Sequence, residues 1–265
     1  AEMLEDRGID SSDIHIVGTL RGIDARLLGE TNYDFTLLPV SGLQRSLRPK
    51  AIFANASMAL RYVSARRRAM AILRSVKADA VVSVGGYGSL APMAAARRLG
   101  IRTVVVSYDS RPGLATRRQA RSADVIAVAD PTSPLPGAVH AGAPVRRAIR
   151  GLDRLASRGE ARRLLGIPAD VFVIGVMGGS LGSALLNDVV AKASEDRRLT
   201  GAFWFHVTGE RYADSATAAD NRITVPYLAD MPSFYAACDI VVCRAGASTV
   251  AEISTVGVPS ILVPW

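Results

Sequence analysis

Where an apolar strand gives way to a helix, small residues leave backbone N–H groups open to a ligand, and this chain has three such places. In its last 27 residues, DIVVCRAGASTVAEISTVGVPSILVPW, a hydrophobic run ends in Gly246, Ala247 and Ser248, and a helical stretch follows with Thr249, Val250, Ala251 and Glu252. A loop with so little side chain lets a ligand approach the backbone. A carboxylate beside it can accept hydrogen bonds from two vicinal hydroxyls, the pattern a ribose presents. The same residues also spell a capping box, with Thr249 capping the first turn and Glu252 reaching back to the cap residue's N–H, worth about 1 kcal/mol. Both readings stay open here, because one carboxylate cannot fully serve both.

A second loop closes the run VFVIGVMGGSLGS, residues 171–183. Gly178, Gly179 and Gly182, with Ser180 among them, form an anion seat at a strand-to-helix turn. The spacing does not fit GxGxxG, and no acidic residue closes a second strand at the dinucleotide distance, which argues against NAD. It does fit GxSxG, so a serine hydrolase is one alternative, with Ser180 as nucleophile and Asp196 and His206 completing a triad. The third loop is VVSVGGYGS, with Gly85 and Gly86. Ligands in open α/β sheets collect at such strand ends.

Loops of this kind need strands alternating with helices behind them. The runs FTLLPV, AVVSV, TVVVS, VIAVA, VFVIGVM, FWFHV, ITVPY, DIVVC and SILVP alternate with helical stretches, one of which places Ala59, Val63, Met70 and Leu73 on its inner face. That alternation predicts βα units and parallel sheets. So many strands suit two sheets better than one, and residues 131–144, with four prolines, read as the connector, which puts the boundary near Ala141. No run approaches a membrane span, and the acidic start does not suit a signal peptide, so the chain reads as beginning mid-helix. Cys238 and Cys243 are the only cysteines, which provides neither a disulfide framework nor a four-ligand zinc site and fits a reducing cytoplasm.

The net charge is +8 over 265 residues, and +7 of it falls in residues 1–141. Arg45, Arg48, Lys50, Arg61, Arg66, Arg67, Arg68, Arg74 and Lys77 follow one another without an intervening Asp or Glu. Such a field suits an anionic surface. A nucleic acid is not the expected partner, because neither a helix-turn-helix nor an aromatic-rich RNA motif accompanies the charge.

The motif GGSLGS with Asn187 following, the long run from ITVPYLADMPSFYAAC to the end, the GGYGSLAP loop and the APVRRAI segment together resemble the MurG family of GT-B glycosyltransferases. The resemblance spans nearly the whole chain and is strongest after Gly175. It implies an α/β, GT-B fold of two Rossmann-like parallel-sheet domains facing a cleft. Residues 1–141 would be the acceptor and membrane-facing domain, lacking its first strand and glycine loop. Residues 142–265 would be the UDP-sugar-binding domain, lacking its C-terminal end. The implied reaction is inverting transfer of N-acetylglucosamine from UDP-GlcNAc to undecaprenyl-pyrophosphoryl-MurNAc-pentapeptide in peptidoglycan synthesis. It would occur at the cytoplasmic face of the cell membrane, with the basic stretch on anionic head groups. No cofactor is implied, and with no DxD-like carboxylate pair beside the diphosphate loops no metal is expected.

Carried over by position, the family's donor contacts fall on Arg146 and Ser180 near the diphosphate, Leu228 beside the uracil, Gly246, Ala247, Ser248, Thr249, Val250 and Ala251 around the nucleotide, and Glu252 on the ribose. Where the family has a His-Glu-Gln-Asn turn, this chain reads Val106, Ser107, Tyr108 and Asp109, so Asp109 takes the place of a donor-contacting asparagine. That departure makes a related transferase with another lipid acceptor the first alternative, and the termini that the resemblance implies are missing make a non-catalytic nucleotide-sugar binder the second. The family's GGTGGH loop, with the histidine considered for general base, would lie upstream of Ala1, leaving the catalytic base unassigned. His15, His140 and His206 read as structural, and Asp230 as the cap of the following helix.

Overall fold

The computed structural model describes residues 1–20, 28–39, 49–179, 181–215 and 218–264, apart from the side chains of 49–61, 215, 218 and 219. The chain divides into two compact units, Ala1–Ala143 and Pro144–Trp265. In the first, strands β1 (His15–Thr19) and β2 (Asp34–Leu38) pair in parallel. Strands β3 (Ala80–Ser83), β4 (Arg102–Ser107), β5 (Val125–Val128) and β6 (Val139–His140) form a separate parallel sheet in that order. The expected connector thus contributes β6 before the chain leaves the unit. Its helices are α1 (Glu2–Glu5), α2 (Pro49–Ser75), α3 (Leu90–Leu99) and α4 (Leu114–Ala120).

Helix α2 corrects one expectation. Its buried stripe is Ala65, Ala69 and Leu73, while Val63 is 40% exposed and the side chain of Ala59 lies outside the described residues. The stripe faces α3, where Ala95 and Ala96 are fully buried, and alanine opposite alanine lets the two backbones approach more closely than a valine would allow. Arg67, Arg68, Arg74 and Lys77 are exposed. Arg45 and Arg48, and the side chains of Lys50 and Arg61, lie outside the described residues. Among the described residues no helix is long and apolar enough to cross a membrane.

The second unit is a six-stranded sheet made of β7 (Phe172–Met177), β8 (Ala202–Val207), β9 (Ala218–Ala219), β10 (Arg222–Val225), β11 (Ile240–Arg244) and β12 (Ser260–Val263). The order is β12-β11-β7-β8-β10-β9, parallel except for β9. From β7 the chain builds outward through β8 to β10, then crosses back to place β11 on the other side of β7. The order therefore reverses between β7 and β11, the place where two diverging connections open a crevice at the strands' carboxyl ends. The helices are α5 (Arg147–Arg150), α6 (Arg154–Leu165), α7 (Ala184–Ala193), α8 (Met231–Ala237) and α9 (Ala247–Val256).

Helix α8 is the innermost of these, with Phe234, Tyr235, Ala236 and Ala237 fully buried. It lies so close to β7 that a Cβ on Gly175 would strike the Cys238 sulfur and come within 2.7 Å of the Phe234 ring. At the amino ends of β7 and β11 the buried Arg162 of α6 ties the unit together. It donates to Asp239 Oδ2 at 2.9 Å, to the Ala237 carbonyl at 3.2 Å, to the Val171 carbonyl at 3.0 Å and to the Ala169 carbonyl. Asp239 also accepts from the Val173 N–H at 2.8 Å and from Arg158 at 2.6 Å. Removing one partner strands a buried charge. Asp239→Ala is expected to lower the stability of this unit by about 3 kcal/mol in urea unfolding.

Candidate functional site

The second unit's loops converge where the strand order reverses. Strands β7 and β11 run side by side with Met177 opposite Cys243, so the chain leaves the sheet after Met177 and after Arg244 at neighbouring points. The first loop turns tightly, Gly182 N–H donating to the Gly179 carbonyl at 2.9 Å. Gly182 has φ +81° and a Cβ there would strike the Thr208 carbonyl, so the loop is packed against the end of β8 and only glycine fits. Ser183 then caps α7. Ser180 lies outside the described residues.

The second loop ends at Gly246, the N-cap residue of α9, which offers no capping side chain. The first amides of α9 are consequently left for solvent or a ligand. This placement corrects the capping-box reading. Thr249 is the third residue of the helix, not its cap, and Glu252 sits nearly a turn further on, too far along to reach back to the cap amide.

Glu252 is held instead from two sides. Its Oε2 accepts from the hydroxyl of Tyr235 at 2.8 Å, and its Oε1 from Arg146 Nη2 at 3.3 Å. The Tyr235 ring is fully buried in α8, whereas the Arg146 side chain, just before α5, is 51% exposed and that of Glu252 16%. Burial first, and the Glu252 charge second, push the Tyr235 hydroxyl well above the ordinary phenol range, so it remains a donor. The sequence reading missed Tyr235. The available signal was a single hydroxyl in the otherwise apolar stretch Phe234 to Ala237.

Leu228 follows β10 and packs against the same core, and Asp230 caps α8 by accepting from the Ser233 N–H at 3.1 Å, as expected. The structure thus brings Arg146, Leu228, Gly246 to Ala251 and Glu252 into one unit, at one end of its sheet. Asp109 belongs to the other unit, exposed two residues past β4, with Tyr108 half-buried beside it. Among the described residues no three His, Cys, Asp or Glu side chains gather closely enough to hold a metal ion.

The hydrolase triad does not assemble. Asp196 caps a short helical turn beyond the far end of α7 and pairs with Arg198 at 2.7 Å. His206 is buried on β8, 3.0 Å from Asn187 Oδ1 in the first half of α7, and Asn187 in turn donates to the Thr208 carbonyl at 3.3 Å. Since the Asn187 oxygen is an acceptor only, the imidazole is the Nε2–H tautomer. Burial, helped by the charge of Arg222, lowers its pKa to about 4. His15 bonds Thr36 at 2.9 Å and His140 the Ala129 carbonyl at 3.1 Å.

An open parallel sheet with glycine loops at its switch point is the architecture of the doubly wound α/β proteins, and comparison narrows the class. Residues 1–128 match the glycosyltransferase family 28 N-terminal domain and residues 173–265 its C-terminal domain, which makes the chain a glycosyltransferase. It is 39% identical over 255 residues to the UDP-N-acetylglucosamine--N-acetylmuramyl-(pentapeptide) pyrophosphoryl-undecaprenol N-acetylglucosamine transferase of Streptomyces avermitilis, covering 95% of this chain and 69% of that protein. The transferase of the same name from Acidothermus cellulolyticus is 37% identical, over 100% of this chain and 72% of its own length. The crystal structure of Acinetobacter baumannii MurG matches with a TM-score of 0.65 at 25% identity, over 100% of this chain and 73% of that one. The chain belongs to the MurG family. The expected α/β, GT-B class is borne out with it.

The buried His206 makes a testable difference in acid. An unfolded chain takes up a proton on this histidine near pH 6.5, the folded one only near 4, so the unfolded state binds more protons between those values. Stability should therefore fall as pH drops through that window. The wild type is expected to lose more stability between pH 6.5 and 4 than His206→Gln, whose amide keeps a donor for Asn187, in paired urea titrations.

Proposed function

We propose that this chain transfers N-acetylglucosamine from UDP-GlcNAc to undecaprenyl-pyrophosphoryl-MurNAc-pentapeptide, the reaction for which its relatives are named. The observation that carries this reading is the pairing of Arg146 with Glu252 of α9, the helix that leaves the β7/β11 switch point with no capping side chain at its start. A carboxylate suits a sugar diol and a permanent cation suits a diphosphate, and here they stand side by side.

In this reading the second unit takes the donor. The uracil lies by Leu228, the ribose hydroxyls donate to Glu252, residues Gly246 to Ala251 surround the nucleotide, and the diphosphate faces Arg146 and the loop that holds Ser180. The acceptor hydroxyl attacks the anomeric carbon from the side opposite UDP. As the new C–O bond forms, the bond to the β-phosphate breaks, UDP departs with the electron pair and the hydroxyl proton passes to a general base. Negative charge grows on the departing diphosphate, where Arg146 and the helix starts of α7 and α9 can stabilise it without rearranging.

The first unit takes the acceptor in this reading. The exposed Arg67, Arg68, Arg74 and Lys77 would meet anionic head groups at the cytoplasmic face, each worth about 1 kcal/mol near such a surface. The altered turn from Val106 to Asp109 favours a second reading, a different lipid acceptor for the same donor chemistry. Release of UDP from UDP-GlcNAc, followed with the lipid-linked MurNAc-pentapeptide and with other polyprenyl-linked sugars, separates the two. Acceptor-dependent release only with the former supports the proposal, and release only with another acceptor replaces it. In the productive assay Arg146→Ala should lower kcat by about a hundredfold, the usual scale for one lost charge-stabilising donor.

A further inference from the structure

We propose that Tyr235 is a positioning residue for the donor site, holding the Glu252 carboxylate so that one oxygen is always presented to the ligand. The inference rests on the reading of Glu252 as the ribose acceptor. The two contacts on that carboxylate are unlike each other. On the inner side, Tyr235 is fully buried, its ring edge-on to Phe234 at 5.6 Å, on a helix whose last carbonyls are themselves tied down. Arg162 donates to the Ala237 carbonyl at 3.2 Å, and Arg154 to that of Cys238 at 2.9 Å. The phenol hydroxyl therefore has a fixed position, and it donates to Oε2 at 2.8 Å.

On the outer side, Arg146 is half-exposed and its 3.3 Å contact with Oε1 is longer. A guanidinium on a long exposed side chain exchanges partners readily, so Arg146 can turn to a diphosphate while Glu252 stays where it is. Without Tyr235 a glutamate in the middle of a helix has three side-chain torsions to immobilise when the ligand arrives. Tyr235 meets that entropic cost in the folding of the core, before any ligand is present. Its high ionisation threshold keeps the donor in place across the working pH range.

The test is a cycle between protein and ligand, in which UDP and 2′-deoxy-UDP are titrated by calorimetry into wild type, Tyr235→Phe and Glu252→Ala. Phe keeps the ring and removes only the hydroxyl. Tyr235→Phe is expected to weaken UDP about tenfold and 2′-deoxy-UDP much less, so that the preference for the ribonucleotide shrinks, with donor KM raised and kcat within about twofold. Equal weakening of both ligands, or none, would overturn the positioning role, because a core-packing tyrosine affects melting temperature without favouring one sugar. If Glu252→Ala itself leaves UDP binding unchanged, the ribose reading fails, a separate result. Should Tyr235→Phe melt below the assay temperature, Glu252→Asp withdraws the carboxylate by one methylene with the tyrosine intact. Undiminished ribose preference in that variant also overturns the inference.

Discussion

A phenol hydroxyl sealed in a protein core must find an acceptor, and in this chain the acceptor for Tyr235 is Glu252. That requirement ties the deepest helix of the second unit to a largely buried carboxylate on α9. Leaving the hydroxyl unpaired would cost about 1 to 3 kcal/mol, so the carboxylate is fixed by the folding energy of the core. Arg146 then adds a second, looser contact from outside. The arrangement differs from a capping box in consequence as well as geometry. A cap would direct the carboxylate back into its own helix, whereas the tyrosine leaves Oε1 facing outward.

The two ends of the sheet are built to opposite ends. At the amino ends of β7 and β11, Arg162, Arg158 and Asp239 saturate one another and the surrounding carbonyls. At the carboxyl ends α9 has no capping side chain, and Gly182, with φ +81° against the Thr208 carbonyl, sits where a side chain would not fit. The ionic and hydrogen-bonded ties thus gather at the amino ends of the strands. Gly175 links the two, since its missing Cβ allows α8 to lie against β7 and bring Tyr235 within reach of α9.

Much of this was readable from the amino-acid order, because strand runs, glycine turns and helix starts are local. The alternation of apolar runs placed the parallel strands, the loops at Gly178 and Gly246 fell at strand ends, and Asp230 capped the helix it precedes. What escaped were contacts made across the fold. Tyr235 and Glu252 are 17 residues apart, and Arg162 and Asp239 are 77 apart, so no periodicity connects them. Local patterns also misled in two places. Thr249 to Glu252 has the spacing of a capping box, but the helix begins earlier, at Ala247. Ser180, Asp196 and His206 have the composition of a triad, but α7 separates the aspartate from the histidine. Val63 was assigned to the core by spacing alone, and the alanine-to-alanine packing of α2 on α3 rotated it outward.

Donor recognition by the second unit is the step on which the proposed transfer most directly depends. Calorimetric titration of UDP-GlcNAc, UDP-glucose and UMP into the chain measures it without needing the acceptor. The account predicts saturable heat with UDP-GlcNAc, weaker binding of UMP for want of the second phosphate facing Arg146, and competition between the two for one site. An absence of heat with any uridine nucleotide, or binding of UMP as tight as that of UDP-GlcNAc, would contradict it.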